Sequence, residues 1–358
     1  LDGSEISSTD VTPETTATGS LADAGETQYF SVTVPEGAVT VDVTPTGDWT
    51  PSVSLRSGAA LRQIDDAMTF RGSVYHAVSS QTDITIVVGV DSQGSASAPF
   101  DFEVDVSTIE VGSATAESEP NDSSSDAETI SQTPAAFTAT MEEGDSEDHY
   151  KLDLIKGQHV WMIMTKPNGQ GSYESDPAVE LTNEAGDVLE SDSDGGVEWF
   201  PVLEAFEIPA SGTYDLRIYN QWSSISGDYV MYVFTTDGRT VGESEPNDAL
   251  GSPQDIGTLD GPTRIQATVD GSDGTDVYSF QVPADLSSLD VSLENAADGF
   301  DLRLLDDSQN VVAESGPASD GAAQPSFNPS PLQAGTYLIE LTPGNASGSA
   351  DILLVPRP

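Results

Sequence analysis

Hydrophobic and polar residues alternate in short runs along the whole chain, and helical periodicity is nearly absent. Three of these runs follow an acidic turn, open with an aromatic residue and place apolar side chains at every second position. They occupy residues 25–34, 146–155 and 274–282. A period of two is that of a strand with one buried face. The pattern therefore predicts an all-β protein.

Two further signals follow each run in the same order along the chain. A strand–turn–strand pattern comes first, at residues 51–65, 177–192 and 300–315. Next, residues 211–220 (SGTYDLRIYN) match residues 334–343 (AGTYLIELTP), and residues 80–89 give a degenerate copy. This order indicates three copies of one β unit.

Turn-forming residues interrupt the chain at intervals of roughly eight to twelve residues, which is typical of β-sandwiches. We therefore predict three tandem, mostly antiparallel β-sandwich domains at residues 1–110, 111–242 and 243–358. The linkers are expected in two polar segments, EVGSATAESEPNDSSS and TTDGRTVGESEPNDALGS.

The charge of the chain is extreme, with 61 acidic and 11 basic residues and a formal net charge of −50. Such charge is common in disordered chains, but apolar strands throughout argue against disorder. In concentrated salt the Debye length falls to about 3 Å and self-repulsion is screened, so we expect a halophilic source. Nucleic acid is an unfavourable partner because phosphate binding needs basic patches.

The composition excludes several kinds of site. The chain has no cysteine, which removes disulfides, thiolate metal sites and cysteine nucleophiles. No apolar run approaches the roughly 20 residues of a membrane span, so no membrane insertion is expected. The first residue is Leu1, which fits a secreted or cell-surface protein that has lost its signal peptide, although a trimmed chain would look the same.

The hexapeptide ESEPND occurs twice, at residues 117–122 and 243–248. An acidic turn and an aromatic-led strand follow each copy. Alternate side chains of an extended segment project to one side, and the proline keeps the preceding glutamate out of a helix. Acidic clusters arise by chance in so acidic a chain, but a duplicated order of oxygen donors favours calcium, which takes about six to eight such ligands.

This arrangement resembles the bacterial pre-peptidase C-terminal domain family, which includes the collagen-binding domains of clostridial collagenases. The shared elements are ExEPND, an acidic turn leading into D-x-Y and a strand, then D-hydrophobic-x-L and GTY strands. The resemblance covers residues 117–358 as two tandem copies, and the first 110 residues only in strand pattern. It implies jelly-roll-like modules of secreted proteins, which often follow a protease domain and bind a polymeric substrate or are trimmed away.

The resemblance also implies one calcium site in each copy, made by the hexapeptide and an Asp pair ahead of the first long strand. In the second domain the implied ligands are Glu117, Glu119, Asn121, Asp122, Asp145 and Asp148. In the third domain they are Glu243, Glu245, Asn247, Asp248, Asp273 and Asp276. The first domain carries Thr27 and Gln28 at the position of the second Asp and its neighbour, so no equivalent site is expected there.

Several other residues are candidates for chemistry. Asn121 and Asn345 lie in glycosylation sequons, and Asn345 is the better acceptor because Asn121 cannot readily serve both a glycan and calcium. Trp222 follows a strand in a polar loop and is a candidate ligand or interface residue, whereas Trp161 lies in an apolar run and is expected in the core. His149 alternates out of the apolar face of its strand and is expected to be exposed.

No enzyme motif is present. The three histidines form no spaced zinc-ligand pair, and the chain has no G-x-S-x-G, H-E-x-x-H or phosphate-loop motif. We expect a non-catalytic extracellular structural or adhesive protein, stiffened by calcium, that associates with itself or with another extracellular protein or polysaccharide. The alternative is the detached carboxy-terminal, substrate-binding region of a secreted peptidase.

Overall fold

A computed structural model describes the chain over most of its length and shows an all-β protein. The described residues are 8–47, 49–58, 62–64, 68–70, 72–141, 147–167, 176–196, 199–221, 227–236, 238–269, 274–296, 299–315, 326–342 and 348–357. Within these ranges strands dominate and the helical residues are a few in 3-10 conformation, the longest run being a single turn, which confirms the all-β prediction. No helix in the described part of the chain is long and apolar enough to span a bilayer.

The chain divides into two compact units. Unit 1 comprises Leu1–Leu152, Val160–Phe206 and Thr213–Thr235, and unit 2 comprises Asp153–His159, Glu207–Gly212 and Thr236–Pro358. The strands form six five-stranded sheets, named A to F here.

The first ten strands form sheets A and B. They are β1 (Thr9–Asp10), β2 (Thr15–Leu21), β3 (Gln28–Val34), β4 (Gly37–Pro45), β5 (Thr50–Ser57), β6 (Arg62–Gln63), β7 (Met68–Phe70), β8 (Ser73–Val78), β9 (Thr82–Ser92) and β10 (Phe100–Glu110). Sheet A has the order β1-β3-β9-β5-β6 and sheet B the order β2-β10-β4-β8-β7. One hydrophobic cluster, with Phe30 and Leu55 from sheet A and Phe102 and Val41 from sheet B, joins the two sheets.

The next strands form sheets C and D, after a 3-10 turn at Val111–Ser113. They are β11 (Thr115–Ala116), β12 (Glu128–Thr129), β13 (Ala135–Met141), β14 (Glu147–Leu154), β15 (His159–Thr165), β16 (Pro177–Thr182), β17 (Val188–Asp192), β18 (Val202–Glu207), β19 (Gly212–Asn220) and β20 (Gly227–Thr235). Sheet C has the order β11-β13-β20-β15-β18 and sheet D the order β12-β14-β19-β16-β17. Phe137 of sheet C packs on Tyr150 of sheet D with ring centroids 5.2 Å apart.

The last ten strands form sheets E and F. They are β21 (Arg239–Gly242), β22 (Gln254–Thr258), β23 (Thr263–Val269), β24 (Asp276–Val282), β25 (Ser288–Glu294), β26 (Asp301–Asp306), β27 (Val311–Glu314), β28 (Ser326–Phe327), β29 (Gly335–Thr342) and β30 (Gly348–Arg357). Sheet E has the order β21-β23-β30-β25-β28 and sheet F the order β22-β24-β29-β26-β27. A single hydrophobic cluster contains residues of both sheets, including Ile265 and Ile352 from E and Phe280 and Leu302 from F.

The strand orders of sheets C and D recur in sheets E and F, ten strands later. Short parallel pairs open each set, β11 with β13 and β12 with β14, then β21 with β23 and β22 with β24. Sheets A and B have a parallel pair of β1 with β3, but in their described residues no strand corresponds to β11. The division into three sandwich domains stays a prediction.

Within unit 1, a second hydrophobic cluster lies between sheets B and C. The Trp161 ring of β15 stacks on the Tyr75 ring of β8, with centroids 4.6 Å apart, and Phe234 of β20 lies 5.3 Å from Tyr75. Trp161 is buried, as predicted. An apolar interface therefore joins sheets B and C within unit 1.

We predict that Trp161→Ala destabilises unit 1 by about 3–5 kcal/mol, because it leaves a cavity where two sheets meet. Urea unfolding, followed by tryptophan fluorescence and circular dichroism, measures the change. The control is Trp199→Ala, at a side chain that is 68% exposed, which should cost no more than about 0.5 kcal/mol. Equal losses in the two variants would contradict the interface.

Candidate metal centre

The first hexapeptide leaves strand β11 and is fixed by its backbone to two sheets of unit 1. The Glu117 N–H donates to the Thr138 carbonyl of β13 at 3.0 Å, and the His149 N–H of β14 donates to the Asn121 carbonyl at 2.9 Å. Because β11 pairs with β13 in parallel, the hexapeptide leaves β11 in the direction in which β13 runs. The hexapeptide therefore bridges sheet C and the start of sheet D.

The second hexapeptide is fixed in the same way in unit 2. The Glu243 N–H donates to the Gln266 carbonyl of β23 at 3.2 Å, and the Val277 N–H of β24 donates to the Asn247 carbonyl at 2.9 Å. In both hexapeptides the bond between the second glutamate and the proline is cis.

Each hexapeptide forms a cluster of three carboxylates with one aspartate of the neighbouring strand. In the first cluster, one oxygen each of Glu117, Glu119 and Asp148 lies within 4.8 Å of the other two. In the second cluster the same holds for Glu243, Glu245 and Asp276. Asp148 and Asp276 are fully buried. Three like charges held this close repel each other unless a cation or a proton joins them.

Backbone and phenol donors hold Glu117 in place. Its Oε1 accepts a hydrogen bond from the Thr140 N–H at 2.6 Å, and its Oε2 accepts one from the Tyr150 hydroxyl at 3.1 Å. Burial raises the pKa of Glu117 and outweighs these two hydrogen bonds, which lower it, while the nearby Glu119 charge raises it further. The net rise above 4.5 comes first from burial, with the Glu119 charge adding to it.

Asp148 is held by a second phenol. The Tyr229 hydroxyl of β20 donates to Asp148 Oδ2 at 2.6 Å, and the Tyr229 and Tyr150 oxygens lie 3.0 Å apart. Burial raises the pKa of both tyrosines, so both phenols stay protonated and able to donate. Two adjacent phenols thus lie between Glu117 and Asp148, and each donates its proton to one of these carboxylates.

The second cluster shares part of this support. Glu243 Oε1 accepts from the Tyr278 hydroxyl at 2.7 Å, and its Oε2 accepts from the Thr268 N–H at 2.7 Å. Burial raises the pKa of Tyr278, and the Glu243 charge adds to the rise. Tyr278 occupies the position in β24 that Tyr150 occupies in β14.

A buried asparagine completes each cluster. The backbone N–H of Asn121 donates to Glu119 Oε2 and that of Asn247 to Glu245 Oε2, both at 3.0 Å. Both asparagines are fully buried, and the Asn121 amide, which faces Glu117 and lowers the pKa of that carboxyl, forms no hydrogen bond of good geometry. A buried amide beside a carboxylate cluster is costly without a partner, and an oxygen-binding cation supplies one.

The donors fit calcium better than a softer metal. Carboxylate and amide oxygens are the ligands of hard cations, and calcium accepts them in irregular arrangements. With its nitrogen turned towards Glu245, the Asn247 amide lies 3.1 and 3.2 Å from the two carboxylate oxygens. In the structure the amide oxygen faces Glu245 instead, which is the orientation that a cation requires.

The structure brings together only part of the predicted ligand sets. Asp122 and Asp248 are exposed and lie outside the two three-carboxylate clusters. Asp122 lines an open cavity of about 860 Å³ together with Glu117, Glu119 and Asp228. The remaining predicted ligands, Asp145 and Asp273, lie outside the described residues, as do Trp222 and Asn345. The full burial of Asn121 favours a ligand role over a glycan.

Sequence reasoning missed the tyrosines. Tyr150 and Tyr278 are the last letter of the D-x-Y motif that follows each hexapeptide, so this motif indicates the tyrosine that supports the glutamate as well as the start of a strand. Tyr229 has no such signal, because it lies 81 positions from Asp148 and the position that matches it in β30 is Ala350.

The prediction that His149 is exposed was wrong. The side chain is buried, with Nδ1 3.0 Å from Asp215 Oδ2 and Nε2 3.4 Å from Glu147 Oε2. The segment after the hexapeptide covers this face of sheet D, where the Lys151 ammonium donates to the Ser124 carbonyl. Period-two reasoning identified the core face correctly, but it does not reveal that a loop covers the opposite face.

Comparison with known proteins supports the family relationship for part of unit 2. Residues 274–343 match the model of the bacterial pre-peptidase C-terminal domain. No curated protein shows significant sequence similarity. Similar solved structures include the pre-peptidase C-terminal domain of collagenase from Bacillus anthracis, at 23% identity over 31% of this chain and 99% of that one, with a TM-score of 0.25. Another is the periplasmic lysozyme inhibitor PliG of Aeromonas hydrophila, at 10% identity over 34% of this chain and 98% of that one, with a TM-score of 0.21.

We predict that His149 makes the stability of unit 1 depend on pH. Burial lowers the pKa of His149, but hydrogen bonds and charges of Asp215 and Glu147 outweigh it, so the pKa is raised above 6.5. A raised histidine pKa stabilises the fold fully below the unfolded-state pKa and progressively less as pH rises through the folded-state pKa. The free energy of unfolding should therefore decrease from about pH 6 to 8.

Urea unfolding at a series of pH values, in excess chelator, measures this slope. His149→Gln should flatten it, whereas His76→Gln, at another buried histidine of unit 1, should leave it in place. An unchanged slope in His149→Gln would rule out the assignment.

Proposed function

We propose that this chain, which contains a pre-peptidase C-terminal domain at residues 274–343, is a non-catalytic secreted or cell-surface structural or adhesive protein. It is built of three tandem antiparallel β-sandwiches with jelly-roll-like folds, at residues 1–110, 111–242 and 243–358. The last two are tandem copies of the family. The recurrence of the strand orders of sheets C and D in sheets E and F supports the tandem arrangement.

The paired carboxylate clusters are the observation that carries this proposal. We assign calcium to both, held by Glu117, Glu119, Asn121 and Asp148 in the first and by Glu243, Glu245, Asn247 and Asp276 in the second. Asp122, Asp145, Asp248 and Asp273 are proposed as further ligands. When bound, calcium neutralises the crowded carboxylates. The bound ion would then hold the first hexapeptide against Asp148 of β14 and the second against Asp276 of β24.

Calcium bound at these sites would raise the free energy of unfolding. A ligand that binds only the native state adds about 2.7 kcal/mol when its concentration is 100 times the dissociation constant. The bound segments lie between successive predicted domains, so calcium would stiffen the connections. A net charge of −50 supports a halophilic setting, because dissolved salt screens the repulsion that opposes association of such chains.

The partner we propose is a second copy of the chain or another extracellular protein or polysaccharide. Head-to-tail contacts between similar β domains produce open assemblies when the rotation between neighbours does not close a ring. A filament or a surface layer is such an assembly. Nucleic acid and lipid surfaces do not fit the charge.

The second candidate function is the accessory region of a secreted peptidase. The family match at residues 274–343 favours it, because pre-peptidase C-terminal domains are non-catalytic accessory modules of such enzymes. In that case the chain binds a polymeric substrate on behalf of a catalytic domain. A peptidase domain encoded immediately before Leu1 would establish this function.

Calcium should raise the melting temperature of the chain, and the double variant Asp148→Ala with Asp276→Ala should lose this rise. The reason is that each substitution removes the buried carboxylate of one cluster. Differential scanning calorimetry with millimolar calcium and with chelator measures the difference. The control is Asp101→Ala with Asp260→Ala, which removes two exposed carboxylates and should keep the rise. A wild-type chain without a calcium-dependent rise would disprove the metal assignment.

Ordered filaments or sheets should form from the purified chain in concentrated salt with calcium, and chelator should reduce their number. Electron microscopy of the same preparation with and without calcium checks this. Monodisperse particles in both conditions would contradict the assembly and favour the accessory role.

A further inference from the structure

The two carboxylate clusters differ on one strand. Strand β20 carries Asp228 and Tyr229 past the first cluster, and β30 carries Ser349 and Ala350 at the matching positions of the second. The ladder registers establish the match, with Thr140↔Asp228 and Ala139↔Tyr229 in sheet C, and Thr268↔Ser349 and Ala267↔Ala350 in sheet E. The glutamates, the asparagine, the aspartate and the D-x-Y tyrosine are the same in both clusters.

Tyr229 acts directly on a proposed ligand. Its hydroxyl donates to Asp148 Oδ2 at 2.6 Å, and its ring is buried, so the phenol has little freedom to turn away. Hydrogen-bond partners of a metal ligand fix its orientation, and losing one costs about 10–100-fold in metal affinity. Ala350 has no hydroxyl to place at the second cluster.

Asp228 adds charge to the first cluster. It lines the same open cavity as Glu117 and Glu119. Thr140 positions both carboxylates, since its Oγ1 donates to Asp228 Oδ1 at 2.7 Å and its N–H donates to Glu117 Oε1 at 2.6 Å. A further negative charge at the mouth of a cavity attracts a divalent cation. Ser349 carries no charge at the matching position.

We infer that the first cluster binds calcium more tightly than the second, and that Tyr229 and Asp228 cause the difference. This inference rests on the proposed calcium function and adds an order of filling to it. As calcium rises, the first cluster fills before the second. As calcium falls, the second hexapeptide is the one released first, so the chain responds to two different calcium levels.

Calorimetric titration of the full chain with CaCl₂ in concentrated salt tests the order. The wild type should show two classes of site. Asp148→Asn should remove the tight class and leave the weak one, and Asp276→Asn should do the reverse. In the Asp276→Asn background, Tyr229→Phe should weaken the remaining site by about tenfold.

Matched variants separate the site from general packing. Tyr232→Phe removes a hydroxyl from the same strand on the face that packs towards sheet B and should leave the affinity unchanged. In the Asp148→Asn background, Ser349→Asp adds a charge at an exposed position and should strengthen the second site. Thermal unfolding in chelator verifies that each variant folds before it is titrated.

The possible results are distinct. Equal affinities in Asp148→Asn and Asp276→Asn, a tighter second site, or no effect of Tyr229→Phe would overturn the inference and leave the calcium function standing. No calcium binding by any folded variant or by the wild type would overturn both. A tight first site that weakens in Tyr229→Phe supports both.

Discussion

The architecture of the candidate site depends on one short backbone contact, made once in each unit. The N–H of the residue after the buried aspartate donates to the carbonyl of the hexapeptide asparagine, from His149 to Asn121 and from Val277 to Asn247, at 2.9 Å in both. This bond brings an acidic segment to the start of an acidic strand against their mutual repulsion. The buried aspartate and the two glutamates lie close together in each unit, with the asparagine buried beside them.

Much of this site was predictable, because its parts are close in sequence and follow strand geometry. Glu117 and Glu119 alternate along an extended segment, and Asp148 is fixed in register by the apolar face of β14. Tyr229 was not predictable, since only the pairing of β20 with β13 brings it to Asp148. The interface of sheets B and C was missed for a different reason. The run 160–164 is apolar at every position, which is the signature of a strand buried on both faces, but its second partner cannot be identified from the run alone.

The two units fix the segment after the hexapeptide by opposite means. In unit 1 a polar set holds it, in which His149 pairs with Asp215 and Lys151 donates to the Ser124 carbonyl. In unit 2 the matching face is apolar, where Leu250 packs on Val277, Leu305 and Leu338. One backbone geometry therefore tolerates two chemistries at the same place, provided that buried donors and acceptors are matched in the polar version. Sheets D and F therefore keep corresponding strand orders although their side chains on that face differ in chemistry.

The stacking of Trp161 on Tyr75 also bears on how such chains are rearranged by recombination. A module can be duplicated, deleted or moved freely only if the surface that becomes exposed on separation is already polar. Cutting between sheets B and C would leave a sheet face of aromatic and branched residues bare, and such surfaces aggregate. A chain that carried either half alone would therefore need different residues on that face to stay in solution.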